Sequence, residues 1–493
     1  MRMTASEFYT SGIDRIYGNS ETNISTIVYD SRKAVKDSAF FCLTGENHDG
    51  HRFIEEAIQN GASVIIGSDI NTLKQFYLTN PACTFLASAD PRQVMGRLAV
   101  VQSGYVHKKL KTIAVTGTNG KTTVTAFVRS LLNQARISTG SIGTAGIWDH
   151  KQKLEIEQST NTTPEAPDLH AIFRQFADSG LEAAALEVTS IGIEQQRVVG
   201  TVFDIGVHTN LTPEHLEFHK TFTRYRNAKL KLFDQVKKAV INADDDGMRD
   251  AILDRFDGPY LTYGIRKPAD VTASHLRPGS RGTSFRLSIG TATYDVFVPV
   301  HGNYNVSNVL AAVCVLLHLG LSNRKIVGAL TGIQGPEGRF EIIDHPAGYK
   351  IIMDYAHTPD GLEKVLDAAH RFEYRRLILM ISGIGLRSPE KRPQMAALAE
   401  QQADEIIVTV DHPGFFSREQ ILDDVFSGFR HPRASNLHRE PYRKNAIHKA
   451  MALAGPGDLV LLTGLGFGGY QVIGDERVSY NERESIESFA GHP

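Results

Sequence analysis

Short apolar runs alternate with amphipathic stretches along most of the chain. Near the N-terminus, runs at 25–29, 38–43 and 62–67 predict strands, and the pattern at 51–58 predicts a helix. Further strands are predicted at 183–188, 202–207, 238–242, 350–354, 376–381, 405–410 and 458–463. Apolar runs of this kind, separated by helices, indicate mostly parallel sheets that are buried on both faces.

The alternation falls into three regions. Residues 1–108 indicate a small α/β domain, residues 109–336 a central domain with a mostly parallel sheet, and residues 337–493 a doubly wound, Rossmann-like domain. A more β-rich insertion at about 270–300 and a hinge at 335–339 precede the third region. A chain of 493 residues is too long for one core, and its length favours roughly three domains. We therefore predict an α/β fold in three domains.

Composition narrows the class of protein. A formal net charge of −2 and a pI near 6.8 give no sign of a nucleic-acid or membrane partner. The cysteines Cys42, Cys83 and Cys314 lie far apart, which disfavours a disulfide framework or a zinc ribbon and fits a reducing compartment. The N-terminus lacks the apolar core of a signal peptide, and no apolar run approaches the roughly 20 residues that span a bilayer. We expect a soluble, cytoplasmic monomer.

The stretch Thr-Gly-Thr-Asn-Gly-Lys-Thr-Thr at 116–123 indicates chemistry most directly. It follows an apolar run at 112–115 and precedes a helix-like stretch at 124–128. In a strand, glycine turn and helix of this kind, backbone N–H groups face nucleotide phosphates, the lysine meets the outer phosphates, and the threonine hydroxyl can bind Mg²⁺. Two residues separate the glycines, where the usual pattern has four. The predicted ATP-binding residues of this loop are Gly117, Thr118, Asn119, Gly120, Lys121, Thr122 and Thr123.

Other polar positions are ambiguous when each is taken alone. Glu187 ends a buried-looking strand, where either a metal ion or solvent could compensate its charge. His215 and His219 are four residues apart and would share one helix face. Glu217 is not where a zinc hydrolase needs its base, so structural histidines are favoured over zinc ligands. Lys229 lies in an amphipathic helix pattern and resembles an ordinary surface lysine.

The third region has site candidates at its predicted strand ends. These residues are Asp354, Ser382, Gly383, Asp411 and Gly464. Doubly wound sheets bind ligands beyond the carboxyl ends of their strands. Strand ends are also commonly rich in glycine and aspartate without any functional role, so both interpretations stay open for each residue.

The order and spacing of several motifs resemble the Mur ligase family over nearly the whole chain. The motifs are Gly-Thr-Asn-Gly-Lys-Thr (117–122), Glu-Val-Thr-Ser (187–190), Asn-Leu-Thr-Pro-Glu-His-Leu-Glu-Phe-His (210–219), Ala-Lys-Leu-Lys-Leu-Phe (228–233), Gly-Asn-Tyr-Asn (302–305), Gly-Arg-Phe-Glu (338–341) and Asp-Tyr-Ala-His-Thr-Pro-Asp (354–360). Within the family the chain is most similar to the MurE type, the cytoplasmic ligases that add the third residue of the peptidoglycan stem peptide.

The resemblance implies a reaction and its cofactors. ATP and Mg²⁺ would activate the D-glutamyl carboxylate of UDP-N-acetylmuramoyl-L-Ala-D-Glu as an acyl phosphate, and the amine of a free amino acid would attack it. Such chemistry depends mostly on positioning and charge neutralisation. The third domain would close over the other two and exclude water from the acyl phosphate.

The resemblance also implies roles for individual residues. The implied catalytic residues are Lys121, Glu187, His215 and Lys229, and the implied Mg²⁺ ligands are Thr122, Glu187, His215 and Lys229, the last in carbamylated form. The implied nucleotide contacts outside the loop are Asn305, Arg339, Asp354 and His357. The implied contacts to the muramoyl dipeptide and the amino acid are Ser31, Asn161, Thr162, Thr163, Thr189, Gln195, Arg197, Arg387 and Asp411.

The amino-acid site departs from the family pattern. Diaminopimelate-adding enzymes have Asp-Asn-Pro-Arg where this chain has Asp-His-Pro-Gly at 411–414. This chain therefore lacks the arginine that binds the distal carboxylate of diaminopimelate in those enzymes. The family's Gly-Lys-Gly-(His/Arg)-Glu is replaced by Gly-Leu-Gly-Phe-Gly at 464–468, and its Gly-Asp-Arg-Asp by Gly-Leu-Arg-Ser at 385–388. We expect an added amino acid other than meso-diaminopimelate. A smaller or less charged one fits at least as well as lysine.

Two alternatives remain. A paralogue could use the same chemistry on a different carboxylate, outside the main cell-wall pathway. Segments 30–32 and 49–54 resemble the uridine-diphosphate-binding segments of the family, which argues against folylpolyglutamate synthetase, a related fold whose substrate has no UDP. A catalytically inactive scaffold has no need for the implied catalytic residues and is disfavoured.

Overall fold

The apolar runs of the first region form a sheet, as their pattern predicts. The computed structural model describes residues 12–45, 49–156, 159–160, 162–464 and 469–489, and the backbone alone of 3–4. The elements of this region are β1 (Met3–Thr4), β2 (Arg15–Tyr17), β3 (Asn23–Ile24), β4 (Thr26–Val28), β5 (Ser38–Phe41), α1 (Ile54–Gln59), β6 (Ala62–Gly67), α2 (Ile70–Thr79), β7 (Thr84–Ala87) and α3 (Pro91–Gln102). Strands β7, β6, β5 and β4 pair in parallel in that order, and β2 joins β7 antiparallel.

The second region supplies a longer series of strands and helices. Its first elements are β8 (Lys111–Thr116), α4 (Lys121–Gln134), β9 (Thr139–Gly143), β10 (Gly146–Trp148), β11 (Lys153–Leu154), α5 (Ala166–Asp178), β12 (Ala183–Glu187), α6 (Ser190–Glu194), β13 (Phe203–His208), α7 (Leu216–His219), α8 (Phe222–Leu230), β14 (Val236–Asn242) and α9 (Asp246–Leu253). The strands lie in the order β11-β10-β9-β12-β8-β13-β14, and β9, β12, β8, β13 and β14 are parallel. The predicted parallel sheet is confirmed.

The β-rich insertion predicted at about 270–300 is an antiparallel meander. The elements that follow α9 are β15 (Tyr260–Gly264), β16 (Val271–Gly279), β17 (Gly282–Ile289), β18 (Ala292–Val298), α10 (Asn303–His318) and α11 (Asn323–Leu330). Strands β16, β17 and β18 pair antiparallel, and β15 pairs with β16 in parallel.

The third region is doubly wound, as predicted. Its elements are β19 (Arg339–Asp344), β20 (Lys350–Asp354), α12 (Pro359–Ala369), β21 (Leu377–Ile384), α13 (Lys391–Ala399), β22 (Glu405–Asp411), α14 (Arg418–Phe426), β23 (Leu437–Arg439), α15 (Arg443–Leu453), β24 (Leu459–Thr463), β25 (Tyr470–Ile473), β26 (Glu476–Ser479) and α16 (Glu482–Glu487). The sheet order is β19-β20-β24-β21-β22-β23, parallel except for β19. Successive residues such as Ile378 and Leu379 enter separate apolar cores, so both faces of the sheet are buried.

The chain divides into two compact units. The first contains residues 1–121, 136–241 and 245–260, and the second contains residues 122–135, 242–244 and 261–493. The fold is α/β, as expected. The boundaries after residues 108 and 336 stay a prediction.

Candidate active site

The phosphate-binding motif forms a tight turn between β8 and α4. Gly117 has a φ of +152° and Gly120 a φ of +85°. A Cβ on Gly117 would lie 1.9 Å from the hydroxyl oxygen of Thr209, so only glycine fits there. The Thr118 N–H donates to the Asn210 carbonyl at 2.7 Å, and the Asn119 N–H donates to the Asn210 side chain at 3.0 Å. The backbone and side chain of Asn210 therefore fix the shape of the loop.

Two lysines meet at this loop. Lys121 Nζ donates to the carbonyls of Gly117 and Thr118 at 2.9 and 2.8 Å. Lys229 Nζ donates to the same Gly117 carbonyl at 2.8 Å and lies 4.7 Å from the centre of the Tyr225 ring. Lys229 is 1% exposed, so its interpretation as an ordinary surface lysine is wrong. Burial, with the charge of Lys121 adding to it, lowers the pKa of Lys229 well below its usual value.

Glu187 is a buried strand-end carboxylate, 1% exposed. Its Oε1 accepts a hydrogen bond from the Thr144 N–H at 2.8 Å. A Cβ at Gly143 would lie 2.1 Å from the same oxygen, so this glycine makes room for the carboxylate. Of the two interpretations of Glu187, the solvent-facing one is wrong.

The histidine pair does not share a helix face. His215 has a left-handed backbone (φ +54°) and precedes α7, which has four residues, so the expectation that both histidines lie on one helix is wrong. His219 is buried, and its Nε2 lies 2.9 Å from the Ser190 hydroxyl, which confirms a satisfied structural histidine. Among the residues that the structure describes, no three His, Cys, Asp or Glu side chains form a group that could hold a metal ion.

Several of the residues predicted to contact the muramoyl dipeptide lie close to one another, next to Glu187. Thr163 Oγ1 donates to the Glu187 carbonyl and lies 3.1 Å from the Thr189 hydroxyl. Arg197 donates to the Thr163 carbonyl at 3.0 Å and to the Gln195 side chain at 2.6 Å. The Thr162 hydroxyl lies 3.0 Å from that of Thr144. Asn161 lies outside the described residues.

Sequence reasoning missed one carboxylate in this group. Glu165 is buried and lies 3.1 Å from Arg197 Nε and 3.1 Å from Arg92. It directly follows the Thr-Thr-Pro segment, which was the available signal. Ser31 lies elsewhere in the first unit, where its hydroxyl donates to Glu56 at 2.5 Å.

Asp354 is one of the predicted nucleotide residues of the second unit, and Arg339 is close enough to act on its charge. The Asp354 carboxylate accepts the N–H groups of Phe340 and Ala356, each at 2.8 Å, and burial raises its pKa to about 6. Arg339 stacks 4.0 Å from the Tyr355 ring and lies 3.4 Å from the Thr122 hydroxyl.

The other three predicted nucleotide residues of the second unit are Asn305, His357 and Thr123. The Asn305 side chain donates to the His301 carbonyl at 3.0 Å. His357 Nδ1 lies 3.0 Å from the Tyr355 carbonyl, and burial lowers the pKa of His357 well below its usual value. Thr123 is buried in the first turn of α4.

The carboxyl ends of β21, β22 and β24 hold a buried charge cluster that the sequence did not reveal. Arg443 donates to both carboxylate oxygens of Glu482, at 2.8 and 2.6 Å, and lies 3.4 Å from Asp411. It also donates to the Ser382 hydroxyl at 2.8 Å. Asp411 is therefore an ion-pair partner, and the strand β21 continues past Ser382, which was expected at its end. Arg387 Nε is buried without a hydrogen-bond partner among the described residues.

Part of the motif at 464–468, which differs from the family pattern, lies outside the described residues. Residues 465–468 are among those that the structure does not describe, and Gly464 is described. A Cβ on Gly464 would lie 2.6 Å from Arg443 and 2.7 Å from the Ser382 hydroxyl, so glycine is required above the charge cluster.

Known proteins resemble this chain along almost its full length. Family models match the Mur ligase family catalytic domain at 23–108, the Mur ligase middle domain at 115–316 and the Mur ligase glutamate ligase domain at 338–466. UDP-N-acetylmuramoyl-L-alanyl-D-glutamate–2,6-diaminopimelate ligase 1 of Clostridium acetobutylicum is 36% identical over 480 residues, 96% of each chain. A solved structure of a ligase with that activity has a TM-score of 0.66 at 29% identity and covers 99% of this chain and 98% of its own.

A more distant solved structure shares the fold. MurF ligase from Thermotoga maritima, in complex with ADP, has a TM-score of 0.64 at 17% identity and covers 94% of this chain and 96% of its own. The fold and the phosphate loop define an ATP-dependent, amide-forming ligase. The chain belongs to the Mur ligase family, and the ligases of Clostridium acetobutylicum and Clostridioides difficile, each 36% identical to it, are of the MurE type. No helix in the described part of the chain is long and apolar enough to cross a membrane.

Proposed function

We propose that this ligase adds one free amino acid to the D-glutamyl carboxylate of UDP-N-acetylmuramoyl-L-Ala-D-Glu, in peptidoglycan precursor synthesis. The observation that carries the proposal is the placement of Lys229, a buried amine bonded to the same loop carbonyl as Lys121. Lys121 supplies a cation at this loop for the phosphates of a nucleotide triphosphate, and the Lys229 amine beside it is placed to form a carbamate. The names of the relatives support the choice of acceptor.

The reaction has two steps. A carboxylate oxygen of the acceptor attacks the γ-phosphorus of ATP, the bond to the β-phosphate oxygen breaks, and ADP leaves. The amine of the amino acid then attacks the carbonyl carbon of the acyl phosphate, inorganic phosphate leaves with the bonding electron pair, and the amine loses a proton. A carboxylate is a poor electrophile, so the first step makes the second possible.

The side chains have separate tasks in this scheme. Lys121 holds the β- and γ-phosphates, and Thr163 and Arg197 orient the acceptor carboxylate. Mg²⁺, when bound, would neutralise charge on the transferred phosphoryl group. The residues fit that ion: the Glu187 carboxylate is a buried hard oxygen ligand, and a carbamate on Lys229 would supply another. Thr122 and His215 are the remaining proposed ligands.

We propose for the second unit that Asn305, Arg339, Asp354 and His357 contact the nucleotide and that Arg387 and Asp411 help to form the amino-acid site. The named relatives are 2,6-diaminopimelate ligases. This chain has Gly414 where such enzymes have an arginine, and we propose that its amino acid is not meso-diaminopimelate. We also propose a cytoplasmic monomer that acts on soluble substrates.

Phosphate release tests the proposal. The purified protein is given ATP, Mg²⁺ and UDP-N-acetylmuramoyl-L-Ala-D-Glu with one amino acid at a time, and the product mass is measured. Release that depends on one amino acid, with the matching mass increase, supports the reaction. If folded protein that binds ATP releases no phosphate with any of the amino acids, the result contradicts the proposed reaction and favours the paralogue with another carboxylate acceptor.

A further inference from the structure

Two loops of the second unit leave the C-terminal sheet at the same edge. Strands β21 and β22 are parallel neighbours, so the segments after Ile384 and Asp411 both begin at this edge. Ligands of doubly wound sheets bind at this kind of edge. The side chains on these loops therefore decide what the edge can bind.

The loops present apolar side chains to solvent. Leu386 is 49% exposed, Phe415 is 80% exposed, and Ile473, at the end of β25, is 41% exposed. The Gly414 N–H donates to the Val472 carbonyl at 3.0 Å and the Gly474 N–H donates to the Gly414 carbonyl at 2.8 Å, which fixes the loop after β22 against β25. We call Leu386, Phe415 and Ile473 the apolar rim.

Leu386 fills the space beside Gly414. A Cβ at position 414 would lie 2.9 Å from Leu386 Cδ2, and the φ of Gly414 is +57°. A long side chain at position 414 would therefore need both a strained backbone and a displaced leucine. The leucine and the glycine form one apolar arrangement.

Arg443 and Arg392, two buried cations beneath the rim, are already paired. Arg443 lies between Glu482 and Asp411, and Arg392 donates to Asp424 at 2.6 Å and to the Ile384 carbonyl. If the side chain of the incoming amino acid ended in an ammonium or a carboxylate, that group would lose its hydration at this edge. It would gain contacts with apolar atoms and with charges that are already paired, which is unfavourable.

We propose that the incoming amino acid has an uncharged, apolar side chain and that Leu386 and Phe415 receive it. Arg387, directly after Leu386, suits the α-carboxylate that every amino acid carries. This inference rests on the proposed function. It adds the chemical class of the amino acid and the residues that select it.

The test first isolates the activation step. With ATP, Mg²⁺ and the muramoyl dipeptide but no amino acid, hydroxylamine traps an acyl phosphate as a hydroxamate. Hydroxamate formation supports the proposed function independently of the amino acid. Its absence from folded protein contradicts the proposed function, and the present inference with it.

The second step of the test compares amino acids whose amine could attack the activated carboxylate: glycine, alanine, leucine, methionine, phenylalanine, lysine and meso-diaminopimelate. We expect the highest kcat/KM for an amino acid with an apolar side chain. Preference for lysine, meso-diaminopimelate or glycine, with hydroxamate formation intact, overturns the inference. So does failure of every apolar amino acid.

Variants of the rim then test the assignment of the subsite. Leu386→Asp and Phe415→Ala should raise the KM of the preferred amino acid about tenfold, since each removes apolar contact area, and leave hydroxamate formation unchanged. Phe415→Leu should restore most of the loss. The matched control is Leu78→Asp in α2 of the first unit, a 71% exposed leucine, with no expected effect on that KM. An unchanged KM in both rim variants overturns the assignment.

Discussion

The phosphate loop and the carboxyl edge of the C-terminal sheet both contain basic side chains, but these side chains have different partners. At the loop, Lys121 and Lys229 share the uncharged carbonyl of Gly117. At the sheet edge, Arg443 contacts the carboxylates of Glu482 and Asp411. A carbonyl contact does not neutralise the positive charge of Lys121, whereas carboxylate contacts neutralise the charge of Arg443.

The difference indicates that the loop suits phosphates and that the buried charges of the sheet edge are already paired. The loop motif agrees with the family pattern, and Lys121 suits phosphates. The sheet edge departs from the pattern, and its arginine holds three strand ends together. Each prediction below tests one side of this contrast, from the largest expected effect to the smallest.

Lys229→Ala should abolish ligation, by at least about a thousandfold, without unfolding the protein, because it removes the amine that would form the carbamate. Steady-state phosphate release and circular dichroism measure activity and fold. The matched control is Lys231→Ala, two residues later, whose half-exposed side chain pairs with Glu194. We expect near-normal turnover from it.

Added short-chain carboxylates should restore part of the activity of Lys229→Ala, since they can occupy the place of a carbamate. Near-normal turnover of Lys229→Ala without any additive would show that the metal-site assignment is wrong.

Arg443→Met should lower the free energy of unfolding by about 3–5 kcal/mol, because it leaves the buried Glu482 carboxylate without its cation. Urea denaturation measures the loss. The double variant Arg443→Met/Glu482→Gln should recover part of it, and the exposed Arg433→Met should be near neutral. A fully stable Arg443→Met would mean that the arginine is available for a ligand rather than structural.

Asp354 should make stability depend on pH. Its folded-state pKa, about 6, lies above the ordinary value of 3.8, so the folded protein holds a proton that the unfolded chain releases. Between these values the contribution of Asp354 to the free energy of unfolding should fall as pH rises, by up to about 3 kcal/mol, and this contribution should be most favourable below pH 4. Asp354→Asn should flatten this slope in urea denaturation series. An equal slope in both proteins contradicts the assignment.

Gly117→Ala should raise the KM for ATP about tenfold or more, because the added Cβ strikes the Thr209 hydroxyl and shifts the loop. Gly180→Ala is the matched control: Gly180 also has a positive φ of +75°, but open space surrounds its Cβ position. Gly414→Ala should instead leave the KM for ATP unchanged. If Gly414→Ala weakens ATP binding as much as Gly117→Ala, the two regions do not differ as proposed.

Much of the fold could be predicted because its signals are local. The apolar runs at 350–354 and 62–67 form β20 and β6 with the same bounds. The helix predicted at 51–58 begins at Ile54, because Asp49 caps a 3₁₀ turn before it. The site was harder to predict, since a pattern of residues does not say which polar side chain is buried.

The sequence by itself determined the alternation of strands and helices, the phosphate loop and the family. Those features depend on the spacing of residues close together in the chain. Only the tertiary structure decided that Lys229 is buried, that His215 stands outside its helix, and that Arg443 occupies the sheet edge with Glu482. The physical reason is that the partners of a polar side chain, here up to 112 residues away, set its burial and charge.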